Sequence, residues 1–310
     1  MPDRPLLRLL ARLGEVREHE PLARHTTFGV GGPADVYARI ASREGLSQAV
    51  RAVRDAGEAC FVLGSGSNVV VSDDGLRGVV IENRTRATDE PELNDGGVRL
   101  AAESGAPLAK LARDLCRRGL AGLEWAAGIP GTVGGAVVYN AGAYGGCLAD
   151  TLDAVEVVEQ DHVPRVLAAG ELGLSYRGSG FTRGLLQDRV VTRAWFLLQP
   201  ADPGTLLAQV ARFDDRRRAT QPHGRSAGSM FKNPPGKPAW WYIDQVGLRG
   251  CRIGGAQVSE LHANFFVNAG GATAAEVHRL TRLAQGRVHE QFNVDLETEV
   301  RFVGRGWPDG

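Results

Sequence analysis

The sequence predicts an α+β protein built as three consecutive units. Three observations lead there. Short apolar runs of strand character alternate with segments of helical period, a glycine-dense stretch occupies 119–146, and the pattern changes near residue 200. At 310 residues the chain can bury a sizeable core and divide into two or three domains.

Ala41 to Gly57 reads as a helix, with Leu46, Ala49, Val50 and Val53 on one face, Ser42 as its cap and Gly57 as its stop. Cys60–Leu63 follows as a buried strand, Gly64–Asn68 as a tight loop, and Val69–Val71 and Val79–Ile81 as further strands. These make a first unit, 1–80. Val98–Ala102 opens the second unit, 81–201. There Ser104 is expected to cap a helix carrying Leu108, Leu111, Ala112 and Leu115. The glycine-dense stretch comes next, then strands at Val155–Val158 and Val190–Leu198 around the polar turn Ser175–Ser179. Gln199–Gly204 reads as a linker. In the last unit, 202–310, a helix bearing Leu206, Leu207, Val210 and Phe213 ends in the charged run Asp214–Arg218, expected to face solvent. Thr273-Ala-Ala-Glu276 is a capping box, and Val294–Phe302 alternates apolar and polar like a strand.

Composition excludes several classes. Net charge is zero, with 36 basic and 36 acidic residues, so nothing draws the chain to nucleic acid or an anionic membrane. The N-terminus lacks the apolar core of a secretory signal, and no apolar run nears the ~20 residues that span a bilayer. Four scattered cysteines suggest neither zinc nor a disulfide framework. The expectation is a cytoplasmic protein with reduced thiols and no bound metal.

A chain spends glycine where the backbone turns left-handed or another group comes close. The stretch 119–146 mixes glycine with apolar residues, so it reads as a folded loop against something large and flat, or anionic. Gly64, Ser65, Gly66, Ser67 and Asn68 could form an anion nest of amides and hydroxyls. Gly131, Thr132, Gly134 and Gly135 are a second such candidate. Each is equally a glycine-rich turn without a ligand. H-E-x-x-H is absent and the seven histidines show no ligand spacing, which points to a bound organic cofactor as the source of the chemistry. Ser229, flanked by Gly228 and followed by Lys232 and Asn233, could present a hydroxyl beside a cation and an amide, or simply cap a turn. Arg177 could clamp an anion or lie on the surface. Read alone, Glu297, Glu299 and Arg301 face solvent.

Taken together, His25-Thr-Thr-Phe-Gly-Val-Gly-Gly-Pro-Ala34, Leu63–Asn68, Gly122–Ala136, Asn140–Gly145, Ser175–Ser179, Gly228–Pro234 and Gly254–Ser259 through Asn264 resemble the UDP-N-acetylenolpyruvoylglucosamine reductase family. The match runs in order from about residue 20 to 302. The resemblance implies two FAD-binding subdomains of the vanillyl-alcohol-oxidase type, not a Rossmann fold, plus a C-terminal α+β substrate domain. The short connection from Ser179 to Val190 resembles the shorter form of the family, which lacks a tyrosine-bearing insertion.

It also implies a flavoprotein of peptidoglycan synthesis, and through it of cell-wall biogenesis, cell shape and division. NADPH would reduce FAD and leave. UDP-N-acetylglucosamine-enolpyruvate would then receive hydride, and the product would be UDP-N-acetylmuramate. By resemblance Arg177, Ser229 and Glu299 are catalytic: Ser229 as proton donor, Arg177 and a protonated Glu299 offsetting the enolate charge. FAD would contact Gly64–Asn68, Gly131, Thr132, Gly134, Gly135, Ala136 and Asn140. Substrate would contact Tyr176, Lys232, Asn233 and His262. The enzyme is expected to be a monomer. Thr220 stands where the family often has lysine before Gln-Pro, which leaves that anion contact to Arg217 or Arg225. Tyr139 replaces a usual apolar residue. Two other readings are another FAD oxidase or dehydrogenase of this fold, and an inactive nucleotide-sugar-binding protein. Intact Arg177, Ser229 and Glu299 argue against the second, and Ser229, Asn233 and Glu299 against the first.

Overall fold

The computed structural model describes residues 2–308 apart from 95, 160–162 and 187. After helix α1 (Arg4–Leu13), strands β1 (Gly14–Pro21) and β2 (Pro33–Ile40) form an antiparallel pair. Helix α2 (Arg43–Asp55) follows, then β3 (Cys60–Leu63), β4 (Val69–Val71) and β5 (Leu76–Asn83). The first sheet has the order β1-β2-β5-β3. As expected, α2 is capped by Ser42, whose Oγ accepts from Gly45 N at 3.2 Å. Its Leu46, Ala49, Val50 and Val53 are buried against Val36, Ala38 and Ile81 of the sheet. Strand β5 runs through residue 80, where the first unit was expected to end.

The second sheet is antiparallel. It takes β6 (Glu92–Asn94), β7 (Gly97–Glu103), β8 (Leu120–Ala121), β11 (Leu152–Val158), β12 (Pro164–Ala168) and β13 (Val190–Pro200) in the order β12-β11-β13-β7-β6, with β8 on β13. Helices α3 (Leu108–Arg117) and α4 (Val133–Tyr139) pack on it, and the short pair β9 (Gly142–Ala143) and β10 (Gly146–Cys147) follows α4. Ser104 does not cap α3. The cap position is Pro107, with no side-chain bond, and Ser104 Oγ instead accepts from Asn83 Nδ2 at 2.8 Å.

The linker expected at 199–204 is shorter: β13 runs to Pro200, and α5 (Pro203–Thr220) starts at once under an Asp202 cap. α5 buries Leu206 and Val210 in the core of the second sheet, although its sequence belongs to the expected C-terminal unit. The third sheet, β14 (Ser226–Ser229), β17 (Phe265–Asn268), β16 (Ala256–Val258) and β15 (Arg252–Ile253), is antiparallel and packs with α6 (Ala239–Gln245) and α7 (Ala274–Phe292). The Thr273–Glu276 capping box opens α7.

The strand expected over 294–302 is much shorter. Only β18 (Arg301–Val303) forms, and it pairs parallel to β4, far away in the sequence. Alternation alone cannot distinguish a strand from an extended segment whose partner is missing. Here the partner is a three-residue strand, so the ladder is short. The His25–Val30 segment likewise crosses over: Phe28 and Val30 are buried in the third core.

Candidate active site

The first sheet, the second sheet and β14 enclose a cleft of about 940 Å³. Its wall holds Gly64–Asn68, Gly131, Thr132, Gly134, Gly135 and Ala136, with Arg177, Ser229 and Glu299. Residues 64 and 299 therefore share one cavity, which the β4–β18 pairing explains. Arg301 N donates to Asn68 O at 3.1 Å, and Asn68 Nδ2 donates to Glu299 O at 3.2 Å. The loop that follows β3 thus carries the backbone of Glu299.

The two glycine loops touch each other. Ser67 Oγ donates to Pro130 O at 3.1 Å. A Cβ at Gly64 would stand 2.6 Å from Thr132 Oγ1, so only glycine allows this approach. Gly66 is left-handed (φ +64°) and lies against His25 O. The loops differ as anion sites. Among the described residues, the amides of Ser65, Gly66 and Ser67 donate to no protein acceptor. The first amides of α4 are already used: Val133 N bonds Ala106 O at 2.9 Å, Gly134 N bonds Ser104 O at 2.7 Å, and Gly135 N bonds Thr132 Oγ1 at 3.4 Å. The open nest is 64–68. The 131–135 loop offers a close-approach wall and the free hydrogen of the Thr132 hydroxyl.

These residues fit a flat dinucleotide. Gly135 and Gly228 line the cleft, and a Cβ on either would meet open space or, for Gly135, only Thr132 Oγ1 at 3.6 Å. Gly66 is buried and Ser65 and Ser67 are half-buried on the cleft wall, so three adjacent amides without a protein acceptor suit an anionic oxygen such as a phosphate's. FAD would be held by this nest and by the 131–136 wall.

Arg177, Ser229 and Glu299 come from three separate segments. Arg177 sits in the turn closed by Ser175–Gly178 hydrogen bonds, itself left-handed at φ +52°. Such a conformation is uncommon for a non-glycine residue and marks a site where the surroundings impose it. Arg177 Nε lies 2.9 Å from Glu299 Oε1, off the N–H axis, so the contact is an ion pair rather than an aligned hydrogen bond. Burial pushes the Glu299 carboxyl above its ordinary range, and Arg177 and Lys232 pull only partly back. Glu299 is thus not the solvent-facing residue that its alternating context suggested; its side chain is 19% exposed.

Ser229 ends β14 at a bulge, where Gly228 turns left-handed (φ +82°). A bulge re-aims the side chain beside it, and here Ser229 faces the cleft. Asn264 holds the next residues in place: its Oδ1 accepts from Phe231 N at 2.9 Å and its Nδ2 donates to Phe231 O at 2.8 Å.

Five candidates lie outside the cleft lining. Asn140 is one. It is the left-handed C-cap of α4 (φ +42°), and its amide bonds Ser175 O at 2.9 Å and Ala149 N at 3.0 Å. A side chain so occupied holds the Arg177 turn against α4. Tyr176 is 60% exposed, its hydroxyl accepting from Asn233 N at 3.4 Å, and Arg177 lies 5.7 Å from its ring centre. Lys232 is paired with Glu297. Asn233 Oδ1 accepts from Ala239 N at 3.0 Å. His262 packs edge-on against Phe265 at 5.0 Å, and burial lowers its basicity.

Sequence reasoning missed Asn83, Ser104, Gln221, Phe265 and Arg301, all of which line the cleft. No spacing signal marks them. The Asp214–Arg218 run is not wholly solvated, since Asp214 pairs with Arg113 and Arg217 lines the cleft. Among the described residues no cluster of His, Cys, Asp or Glu could hold a metal. No described helix is long and apolar enough to cross a membrane.

Residues 220–303 match the family model for the UDP-N-acetylenolpyruvoylglucosamine reductase C-terminal domain, and residues 34–162 match that for an FAD binding domain. A UDP-N-acetylenolpyruvoylglucosamine reductase of Synechococcus sp. (strain JA-3-3Ab) is 45% identical over 300 residues, covering 95% of this chain and 94% of its own. The chain belongs to the UDP-N-acetylenolpyruvoylglucosamine reductase family. A family member from Geobacter metallireducens is 43% identical over 98% of this chain and 99% of its own. The crystal structure of the Thermus caldophilus UDP-N-acetylenolpyruvylglucosamine reductase superposes with a TM-score of 0.77 at 38% identity, covering 95% of this chain and 100% of the other. The fold is therefore that of this reductase family, an α+β FAD-binding part with an added C-terminal α+β domain.

Proposed function

We propose that this family member reduces the enolpyruvyl ether of UDP-N-acetylglucosamine-enolpyruvate to UDP-N-acetylmuramate, a step of peptidoglycan precursor synthesis, using NADPH. One observation carries the reading. Ser229, Arg177 and Glu299, from three distant segments, line one cleft with the two glycine loops. Bound FAD supplies the hydride carrier between NADPH and the substrate alkene.

The protein residues act on the charge and the proton. Hydride at the terminal alkene carbon leaves negative charge on the carbon bearing the carboxylate. Arg177 offsets that charge as a fixed cation, held by its strained turn. Glu299 helps in its protonated form, which burial favours. Ser229 Oγ gives its proton to the same carbon, which is a far stronger base than water. Gly64–Asn68 holds a pyrophosphate, and Tyr176, Lys232, Asn233 and His262 receive the substrate at the mouth. Units 1–80 and 81–201 hold the cofactor, and 202–310 the substrate. The enzyme works as a monomer in the cytoplasm, where NADPH and nucleotide sugars are available.

The test is a half-reaction. The flavin of purified protein is reduced anaerobically and mixed with the enolpyruvyl UDP-sugar. Rapid return of the oxidised flavin spectrum is expected, and none would reject the reading.

A further inference from the structure

The segment His25–Val30 joins the 64–68 nest to the third sheet, and Thr27 makes the join at a single residue. Its N–H donates to Gly66 O at 3.0 Å, inside the nest. Its hydroxyl donates to Ser226 O at 2.7 Å, at the first residue of β14. Gly66 O lies 3.3 Å from the same hydroxyl. A hydroxyl has one proton to give, and the shorter contact takes it. The flanking residues are held as well. The His25 ring is buried, with Nε2 2.9 Å from Glu20 Oε1 and Nδ1 3.4 Å from Glu82 Oε1. Phe28 is fully buried in the third core, and Asn268 Nδ2 of β17 donates to Phe28 O at 3.1 Å. Between them, Thr26 Oγ1 donates to Val30 O at 2.9 Å. Thr27 is absent from the cleft lining, so its part in the site is indirect.

The nest follows β3 of the first sheet, while Ser229 ends a strand of the third, and no ladder among the described residues joins those two sheets. Their separation must be set by other bonds. β14 runs from the Thr27 contact at Ser226 through the bulge at Gly228 to Ser229. We propose that Thr27 is a positioning residue for the reduction step: its hydroxyl sets β14, and with it Ser229, at a fixed distance from the loop that holds the cofactor. The inference rests on reading Ser229 as the proton donor. A shift of about 1 Å at a reacting group can cost on the order of a hundredfold in rate. Valine has the shape of Thr27 without the donor, and serine keeps the donor on a side chain with a freer χ1.

Thr27→Val and Thr27→Ser are compared with wild type. Stopped-flow absorbance gives the rate of flavin bleaching by NADPH. It also gives the limiting rate of reoxidation by the enolpyruvyl UDP-sugar and the concentration for half that rate. Amide hydrogen exchange across 226–231 is measured on the purified protein without substrate. Thr27→Val is expected to lower the limiting reoxidation rate on the order of tenfold or more, with bleaching and the half-saturating concentration near wild type. Exchange across 226–231 is expected to quicken, and Thr27→Ser to restore most of the rate. An unchanged reoxidation rate in Thr27→Val overturns the inference, as does an equal fall in both half-reactions, which marks a general loss of packing. If Thr27→Val folds poorly by circular dichroism, Thr27→Ala carries the same measurements against Thr27→Ser. Wild-type flavin that the enolpyruvyl sugar never reoxidises defeats the proposed reaction, whereas unchanged exchange in Thr27→Val defeats the tie itself.

Discussion

Arg177 and Glu299 meet at 2.9 Å although neither lies in a strand and 121 positions separate them, on the order of a third of the chain. Arg177 stands in a turn held to α4 by Asn140, and Glu299 is tied by its carbonyl to Asn68. The pair exists only because both anchors hold. The Glu299 carboxyl, raised by burial, binds its proton more tightly in the folded chain than in the unfolded one. That contribution to stability is complete at low pH and is lost as pH rises through the folded value. Glu299→Gln cannot lose it. Melting curves across pH should therefore shift in favour of the Gln variant as pH rises, and a constant difference would count against a buried, proton-holding carboxyl.

Ser229→Ala should separate the two half-reactions. NADPH-driven bleaching of the flavin is expected to stay near wild type, while reoxidation by substrate slows by roughly a hundredfold or more. Stopped-flow absorbance reads both. Equal loss in both would show that the serine is not the proton donor.

Two glycines should answer alanine differently. At Gly66 a methyl group meets His25 O in a left-handed residue (φ +64°), so Gly66→Ala should cost several kcal/mol, about 2 or more. Gly135 lies in α4 with only Thr132 Oγ1 at 3.6 Å. There alanine should leave stability unchanged or raise it by up to about 1 kcal/mol, while flavin content falls because the methyl group occupies ligand space. Thermal melts and the ratio of flavin to protein absorbance distinguish them.

Asn140→Ala should act through structure. It removes bonds to Ser175 O and Ala149 N and places alanine at φ +42°. A loss of about 3 kcal/mol is expected, with substrate reduction falling further than FAD affinity. Loss of FAD alone, at unchanged stability, would show a direct cofactor contact instead.

Glu82 gives the acid limb. Burial pushes its carboxyl up, but hydrogen bonds from Arg84, Tyr37 and Arg39 prevail and hold it at about 2 against an ordinary 4.5. Its contribution is present above the unfolded value and is lost as pH falls toward about 2. Glu82→Gln should be less stable at neutral pH and should show a flatter acid decline in denaturant melts.

Much was legible in the sequence. Ser42 and Thr273 cap their helices because capping depends on residues three apart. Gly64–Asn68 needed no tertiary context to be read as a tight loop, since its glycines tolerate a sharp turn cheaply. The ordered motifs from His25 to Asn264 were enough to indicate the family and its flavin. Their chemistry at Ser229 and Glu299 followed only from resemblance, because a serine in a turn and a glutamate in an alternating run look the same whether buried or exposed.

The tertiary structure decided the rest. It cut the expected last strand to Arg301–Val303 and gave it β4 as partner, which brings Glu299 to Asn68. It moved Ser104 from cap to acceptor and turned Arg217 toward the cleft. It also occupied the Asn140 amide with backbone and left the amides of Ser65, Gly66 and Ser67 open. The division has a physical reason. Caps, turns and helical faces are set by neighbours within a few residues. Which donors remain unpaired, and which carboxyl loses its water, depends on what long-range packing brings against them.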